Sequence, residues 1–349
     1  MTNLNHVRGF NNLIELAAET MGGKVLACSD DFFASKDNLI KAGRGIFVPE
    51  KYTEHGKWMD GWESRRKRTP GHDWCILQLG LPGIVAVLDI DTNHFLGNHA
   101  PFTSVEGTWM PNCSDLKTLE EAKWSEVLPQ SILQPGQPNQ FLVPAPEKVS
   151  HLRLNIFPDG GVARLRAYGS VVPTGSRNPD TDTHQPHLQK GEVDLVALRS
   201  GGQAVICSDN FFSPMHHLIA PGKSKNMGGG WETKRKRTEG FDWVILETAS
   251  PGKPTLVVVD TQHFIGNYPN TCSLEGAFIE NTTLLGLCSP DITWSPILKP
   301  SKLQGNREHV FRDTLISGGP FTHLKLSIFP DGGISRLRVY GLDEDHCDA

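Results

Sequence analysis

The sequence has few features that would commit it to a membrane, a secretory route or nucleic acid. Its seven cysteines are scattered and odd in number, with no Cys-x-x-Cys pair, which is typical of free thiols in a reducing compartment, so we expect a cytoplasmic location. No apolar run approaches the roughly 18 residues that span a bilayer, and the N-terminus lacks the apolar core of a signal peptide. The net charge of −5 gives no overall attraction to nucleic acid. We therefore expect neither a membrane nor a nucleic-acid partner.

Several catalytic signatures are also missing. The sequence has no P-loop, no Rossmann fingerprint, no Gly-x-Ser-x-Gly elbow and no metalloprotease motif. No dense histidine cluster supplies the about three protein ligands that a catalytic zinc needs. Cys28 and Cys207 are most simply explained as buried core residues and not as nucleophiles. A cofactor is therefore not indicated, although a divalent metal stays open.

What the sequence does contain is an internal duplication. Four stretches of the first half return in the second half in the same order, which indicates two tandem domains and not a solenoid of short repeats. The first half carries extra residues around Lys41 to Asp60, and such an insertion belongs in a surface loop. The repeated pairs are "GGKVLACSDDFF" and "GGQAVICSDNFF", "DGWESRRKRT" and "GGWETKRKRT", "DIDTNHFLGN" and "VVDTQHFIGN", and "HLRLNIFPDGGVARLRAYG" and "HLKLSIFPDGGISRLRVYG".

The duplication sets the expected domain organisation. A chain of 349 residues is long enough for about two domains. We expect the first repeat, with an N-terminal arm, in residues 1–170 and the second, with a short C-terminal tail, in residues 192–349. The polar, proline-bearing residues 171–191 between them predict an exposed linker.

Each copy has the pattern of a β-rich domain. Short runs of Val, Ile, Leu and Phe are separated by Gly, Pro, Asp and Asn. In His151 to Phe157 the leucines and Ile156 share one face, which predicts a strand with one solvated face. "PDGG" then predicts a turn, after which "RLRAYG" is expected to return as the second arm of a hairpin. Helix is predicted mainly in "NNLIELAAE" and "LKTLEEAKWSEV". The fold class is therefore all-β, with a sandwich or barrel in each repeat.

The repeated Trp-Glu pair is followed by four basic residues in both copies. If the stretch is extended, one face exchanges Arg for Lys between the copies and is predicted to be solvated charge, whereas the other face keeps Arg. Arg forms a bidentate fork with a carboxylate and Lys does not. A nucleic-acid patch is disfavoured by the negative net charge, but a structural ladder of arginines and carboxylates stays open. The predicted anion ligands are Arg66, Arg68, Arg235 and Arg237.

An Asp-Thr-x-His sequence follows an apolar strand in each copy. Asp91 with His94, and Asp260 with His263, could form a proton-transfer pair or part of a metal site. A turn held by aspartate hydrogen bonds explains the spacing equally well. Asp30 and Asp209 stand at a strand end beside a Phe-Phe pair, in "CSDDFF" and "CSDNFF".

Together these motifs resemble the allantoicase family. The resemblance rests on "GGKVLACSDDFF", "GWESRRKRT", "HDWCILQLG", "DIDTNHFLGN" and "IFPDGGVARLRAYG" with their second copies, and it covers nearly the whole chain. It implies two tandem jelly-roll β-sandwich domains of the galactose-binding type. It also implies hydrolysis of allantoate to ureidoglycolate and urea in purine breakdown, with allantoate as the small-molecule partner.

The resemblance gives the polar residues of the two copies expected roles. The carboxylate of allantoate needs an arginine fork, its ureido groups need carboxylate or amide oxygens, and its departing urea needs a general acid and base. We assign the arginines with Asp30 and Asp209 to substrate binding. The acid and base candidates are His94, Asp91, Glu63, His263, Asp260 and Glu232.

Two other functions stay open at this stage. Jelly-roll domains also bind sugars or small anions without catalysis, and fold alone does not fix function. A structural scaffold is the third alternative, but it would not need the repeated Asp, His, Glu and Arg loops. The sequence leaves open a homo-oligomer, and it leaves open whether one repeat or both are catalytic.

Overall fold

The computed structural model describes residues 13–174, 188–280 and 282–343. The chain divides into two compact units, one in the first 174 residues and one in the remainder. The middle of the predicted linker, and most of the predicted arm and tail, lie outside the described residues. No helix of the described part is long and apolar enough to cross a bilayer.

The first repeat contains twelve strands and one short α-helix. The helix α1 is Leu116–Glu120, and 3-10 turns occur at Glu19–Met21 and Lys36–Ile40. The strands are β1 (Ile14–Glu15), β2 (Lys24–Cys28), β3 (Tyr52–Thr53), β4 (Gly56–Lys57), β5 (Trp62–Glu63), β6 (Asp73–Asp91), β7 (Phe102–Thr108), β8 (Ser125–Ile132), β9 (Pro138–Leu142), β10 (Lys148–Phe157), β11 (Gly161–Val162) and β12 (Arg164–Val171).

The second repeat contains ten strands in its described residues. Its 3-10 turns are Leu198–Ser200, Met215–Ile219, Met227–Gly229 and Gly286–Cys288. The strands are β13 (Val193–Asp194), β14 (Gln203–Cys207), β15 (Trp231–Glu232), β16 (Asp242–Asp260), β17 (Thr271–Ala277), β18 (Ser295–Lys302), β19 (Glu308–Phe311), β20 (Phe321–Phe329), β21 (Gly333–Ile334) and β22 (Arg336–Asp343).

One long strand links the two layers of the first sandwich. The first part of β6, from Asp73 to Gln78, pairs antiparallel with β2 and β10. Its last part, up to Asp91, pairs with β12 and β9 instead. Strand order in the sheet is β1-β12-β6-β10-β7-β8. The strand therefore changes neighbours along its length and contributes to both layers, as in a jelly roll.

The second repeat has the same topology. Its sheet runs β13-β22-β16-β20-β17-β18, with β14 and β19 also paired to the long strand β16. Fully buried Trp62 and Trp231 occupy matching core positions, and each donates its indole N–H to a backbone carbonyl, that of Asp30 or Asp209. The predicted fold class, two tandem jelly-roll sandwiches, is confirmed.

Both helix predictions overestimated the helical residues. In "NNLIELAAE" the described residues form β1 and a 3-10 turn, because Leu16 donates its N–H to the carbonyl of Ala167 in strand β12. In "LKTLEEAKWSEV" the helix ends at Glu120, and Ser125 already belongs to β8. Sheet pairing and burial outweigh local helix propensity at both places.

Candidate functional site

Glu63 is fixed by the backbone on both sides of it. It stands opposite Gly161 in the small β5–β11 sheet, and it bridges to Ala34 on the other side. Gly161 is required there, because a Cβ atom would lie 2.0 Å from the ring of buried Phe95. The "PDGG" turn thus packs close against a core ring and holds the strand that carries Glu63.

Among the described residues, the Glu63 carboxylate has one side-chain hydrogen-bond partner. Asn98 Nδ2 donates to Glu63 Oε1 at 2.8 Å. Burial raises the pKa of Glu63, and the Asn98 hydrogen bond only partly opposes that rise. A carboxyl group whose pKa lies above its ordinary range can give up a proton and take it back, as acid–base catalysis requires.

Glu63 shares a cavity of about 310 Å³, the first-repeat pocket, with His94. His94 adopts a left-handed backbone conformation with φ 68°, and its exposed ring stacks on Phe47 at 5.6 Å between centroids. Within the described residues the ring makes no hydrogen bond, so both nitrogens are available. The structure therefore brings together two predicted acid–base candidates. The pocket is lined by Phe33, His55, Lys57, Met59, Glu63, His94, Leu96, Gly97 and Asn98.

The inserted residues of the first repeat build one wall of this pocket. Strands β3 and β4 form a hairpin that supplies His55 and Lys57 to the lining. The His55 ring packs on Phe32 with 4.0 Å between centroids. The insertion predicted to be a surface loop is thus also a wall of the pocket.

Asp91 is engaged elsewhere. Its carboxylate receives both Arg44 Nε at 2.8 Å and a second guanidinium N–H at 2.9 Å, and it caps the Asn93 N–H at 2.9 Å. No hydrogen bond joins it to His94 within the described residues. The geometry favours the turn interpretation of this aspartate, and the predicted Asp91–His94 pair does not form.

The second repeat repeats the turn but changes the histidine. Asp260 accepts the Gln262 N–H at 2.8 Å. His263 has the same left-handed backbone, with φ 73°, but its Nε2 lies 2.9 Å from the Ser224 carbonyl oxygen and its N–H is bound by Asn306. Since a carbonyl only accepts, His263 Nε2 must carry a proton and donate it there. The His263 ring is thus held by a hydrogen bond, whereas the His94 ring makes none within the described residues.

The second repeat has its own cavity, of about 640 Å³, which we call the second-repeat pocket. Its Glu232 accepts a hydrogen bond from Asn267 Nδ2 at 2.6 Å, as Glu63 does from Asn98. Arg235 also lines it, so the structure joins two predicted site residues. The lining residues are Phe212, Glu232, Thr233, Arg235, Lys236, Gly266, Asn267, Tyr268, Asn270, Pro330, Asp331 and Gly332.

One prediction about the basic stretch is wrong. The face that exchanges Arg and Lys was expected to be only solvated charge. Instead Lys67 Nζ lies 2.6 Å from Oδ1 of Asp73, which is 2% exposed, and Lys236 makes the same pair with Asp242 at 2.9 Å. The stretch leaves β5 and β15 after two residues, so strict strand alternation does not apply to it. These lysines neutralise buried carboxylates.

The four arginines predicted as anion ligands are exposed and carry no carboxylate partner within the described residues. The structural ladder is therefore not what they form. Arg235 lines the second-repeat pocket, whereas Arg66, Arg68 and Arg237 line neither pocket.

Asp30 and Asp209 hold the polypeptide in place. Asp30 binds the Arg65 guanidinium at 2.6 Å and accepts the Arg65 N–H. Burial acts to raise the pKa of Asp30, but its hydrogen bonds, mainly those from Arg65, outweigh burial and lower it. Asp209 accepts the Lys234 N–H at 3.2 Å. Neither aspartate lines the first-repeat or the second-repeat pocket, and their predicted substrate contacts stay predictions.

Neither a metal centre nor a reactive thiol is evident in the described part of the chain. There, no three His, Cys, Asp or Glu side chains come together as metal ligands, so the open divalent metal stays a question for experiment. The six described cysteines are free thiols. Burial raises the pKa of Cys28 and of Cys207 to about 11, which keeps both protonated and poorly nucleophilic.

Sequence reasoning missed the residues that complete the pockets. Asn98 and Asn267 end the repeated "HFLGN" and "HFIGN", so their duplication was a usable signal. His55 and Lys57 lie in the insertion and have no counterpart in the second copy, so the comparison of copies could not select them.

Comparison with known proteins agrees with this architecture. The family model of the allantoicase repeat matches residues 14–172 and again residues 193–344. The chain is 41% identical over 334 residues to a probable allantoicase of Burkholderia mallei, covering 94% of each chain. It is 42% identical over 332 residues to a probable allantoicase of Pseudomonas aeruginosa, covering 95% of this chain and 96% of the relative. The crystal structure of allantoicase from Saccharomyces cerevisiae matches with a TM-score of 0.75 and 32% identity, over 95% of this chain and 93% of that one.

Proposed function

The chain belongs to the allantoicase family, and from that premise we propose that it hydrolyses allantoate to ureidoglycolate and urea. One observation of the structure carries the assignment of chemistry: a half-buried carboxyl group, Glu63, and a histidine with free ring nitrogens, His94, line the same pocket. The reaction needs an acid and a base at one carbon atom, and these side chains supply both.

Allantoate carries one carboxylate and two ureido groups on the same carbon. We place that carbon in the first-repeat pocket between Glu63 and His94. The Asn98 amide can hydrogen-bond a ureido group of the substrate. The negative charge of the substrate carboxylate would raise the pKa of Glu63 further and keep Glu63 in its protonated form. We assign the substrate carboxylate to Arg66, which corresponds to Arg235 of the second-repeat pocket. Arg66 lies outside the lining of the first-repeat pocket, but it is exposed and has no ion partner among the described residues, so its side chain is available to a ligand that extends beyond that lining.

The first half of the reaction expels urea. The neutral Glu63 carboxyl protonates the nitrogen of the departing ureido group. The lone pair of the other ureido nitrogen breaks the C–N bond, and His94 removes the N–H proton of that nitrogen. Urea leaves, and a neutral carbamoyl imine remains on the carbon.

The second half adds water. The Glu63 carboxylate takes a proton from the water as its oxygen bonds to the imine carbon, and protonated His94 returns its proton to the imine nitrogen. The product is ureidoglycolate, and both side chains end in their starting protonation states. No covalent enzyme intermediate is required.

The test is urea release from allantoate by the purified chain, with ureidoglycolate measured in the same samples. We expect equal amounts of the two products, and we expect that a thiol-modifying reagent does not inhibit their formation. Ammonia and carbon dioxide as products would overturn the proposal. Tight allantoate binding without turnover would favour the non-catalytic binding module. A parallel assay after chelation tests the open divalent metal, and light scattering tests the open homo-oligomer.

A further inference from the structure

The two pockets share one set of lining residues, which we call the common floor. Four positions of the duplicated chain line both of them, each occupied by the same residue type in the two copies. In the second repeat the floor keeps the Glu–Asn hydrogen bond, with 2.6 Å between Asn267 Nδ2 and Glu232 Oε1. The matched pairs are Phe33 and Phe212, Glu63 and Glu232, Gly97 and Gly266, and Asn98 and Asn267.

The pockets open toward different walls. The second repeat lacks the inserted hairpin, and a short 3-10 turn, Met227–Gly229, takes its place in the chain. Met227 Sδ lies 3.8 Å from Asn267 Nδ2. His263 is held by the Ser224 carbonyl and is not part of the lining. The histidine side of the first-repeat pocket therefore has no counterpart in the second.

On the other side, the second-repeat pocket has the character of an anion site. Lys236 is neutralised by Asp242, 2.9 Å away, and its N–H is bound by Asp331. Among the described residues of the lining, this leaves Arg235 as the cation without a carboxylate partner. An exposed guanidinium fork recognises a carboxylate in two parallel hydrogen bonds.

Neutral amides complete the lining beside that fork. The side chains of Asn267 and Asn270 stand with Glu232 in the same cavity, whose volume of about 640 Å³ accommodates a small organic acid. Amide and carboxylate oxygens accept N–H groups, and amide nitrogens donate to carbonyl groups. The combination fits a molecule with one carboxylate and at least one amide or ureido group.

We propose that the second-repeat pocket is a separate binding site for a small ureido carboxylate, and that it binds this ligand without hydrolysing it. Binding follows from Arg235 and the amides. The absence of turnover follows from the missing histidine wall, since Glu232 has no proton partner in the lining comparable to His94. The choice of ligand rests on the proposed function, but the existence of the site does not.

The experiment is calorimetric titration of the full-length Glu63→Gln chain with allantoate, which this chain should bind but not consume. We expect two ligands per chain. Adding Arg235→Ala to that chain should remove one of them or weaken it more than tenfold. Titration with ureidoglycolate, glycolate and urea separates substrate from product, and carboxylate from ureido recognition. Glycolate and urea should each bind at least tenfold more weakly than ureidoglycolate.

Each outcome decides between the alternatives. A single ligand per chain, unaffected by Arg235→Ala, overturns the second site. A Glu63→Gln chain that keeps about half or more of the wild-type kcat overturns the non-hydrolysing part, because the second-repeat pocket would then turn substrate over. Two bound ligands in a wild-type chain that releases no urea would refute the proposed function and leave the binding site standing. If Glu63→Gln does not fold, His94→Asn provides the same background, since Asn tolerates a left-handed backbone.

Discussion

The two repeats share a framework and differ in the loops that flank it. In both, a two-residue strand pairs with a Gly-Gly turn, and its glutamate is held by an asparagine from the next loop. In the first repeat the inserted hairpin opens a pocket beside His94, whereas in the second a shorter loop binds the His263 ring through Ser224. The glutamate therefore occupies the same position on the same strand in both repeats, but different side chains surround it. The length of one loop decides which side chains can act with it.

The histidines give the largest expected difference between the repeats. We expect His94→Asn to lower kcat by roughly 10²- to 10⁴-fold, because it removes a general base while Asn still accepts the left-handed backbone. His263→Asn should act chiefly on stability, by about 1 kcal/mol, since it removes the hydrogen bond to the Ser224 carbonyl. Steady-state kinetics and thermal unfolding of both variants measure the contrast.

Two results would contradict this contrast. A loss of only about half of kcat in each variant would mean two working sites. A His94→Asn chain with wild-type kcat would remove His94 from the mechanism and leave Glu63 without the partner we assign to it.

The buried ion pairs should behave alike in both repeats. Lys67→Met and Lys236→Met each leave a carboxylate, Asp73 or Asp242, that is at most 2% exposed and has lost its cation. Removing one partner of a fully buried ion pair lowers the free energy of unfolding by about 3 kcal/mol. The loss should be smaller here, because the lysines are partly exposed. We expect each variant to lower the denaturation midpoint measured by circular dichroism. The double replacements Lys67→Met with Asp73→Asn, and Lys236→Met with Asp242→Asn, should recover part of the loss. A loss in one repeat only would break the equivalence.

The frame was predictable from the sequence because its signals are local and duplicated. Strand alternation in His151 to Phe157 and the "PDGG" turn predicted β10 and the turn that follows it. The hairpin predicted across that turn is wrong, because β6 lies between β10 and β12 in the sheet and pairs with both. The pairing of Glu63 with His94 in one pocket was only partly predictable. Both were chosen as candidates, but nothing in the spacing showed that Asp91 would bind Arg44 instead of His94. That choice is made by the inserted loop, whose conformation has no counterpart in the second copy.

The basic stretch after each Trp-Glu pair was only partly predictable from the residue pattern. Retention of Arg in both copies left a structural ladder open. The structure argues against it for Arg66 and Arg235, since neither has a carboxylate partner within the described residues, and their role as anion ligands stays a prediction. The alternation rule failed on Lys67, because the chain leaves the strand directly after Glu63. A period of two residues predicts faces only while the backbone stays extended and paired.

Replacing the arginines by lysine tests whether each repeat holds a ligand carboxylate through a guanidinium group. We expect Arg66→Lys to lower kcat/KM on allantoate by roughly ten- to a hundredfold, because a charge remains but the bidentate fork is lost. Arg235→Lys should instead weaken ligand binding in the second-repeat pocket. Arg68→Lys and Arg237→Lys are the matched controls, since each is an exposed arginine two residues further along the same stretch and is not the residue we assign to the ligand carboxylate. Activity that falls only in proportion to thermal stability would show that Arg66 is structural.

The smallest effect is a change in pH dependence, and it tests whether Glu63 titrates during turnover. Asn98 donates to the Glu63 carboxylate and so stabilises the anion, which lowers the pKa of Glu63 against the rise caused by burial. Asn98→Ala removes that donor, and the pKa of Glu63 should rise further. Because Glu63 acts first as an acid, activity falls as pH passes upward through its pKa, and the alkaline limb of kcat/KM should move to higher pH in the variant. Asn98 is exposed, so the substitution should leave the fold intact.

Two results would contradict this assignment of the alkaline limb. If the limb stays in place or moves to lower pH in Asn98→Ala, a group other than Glu63 is responsible for it. A matching shift in Asn267→Ala would mean that Glu232 titrates in turnover too, and that the second-repeat pocket is catalytic after all.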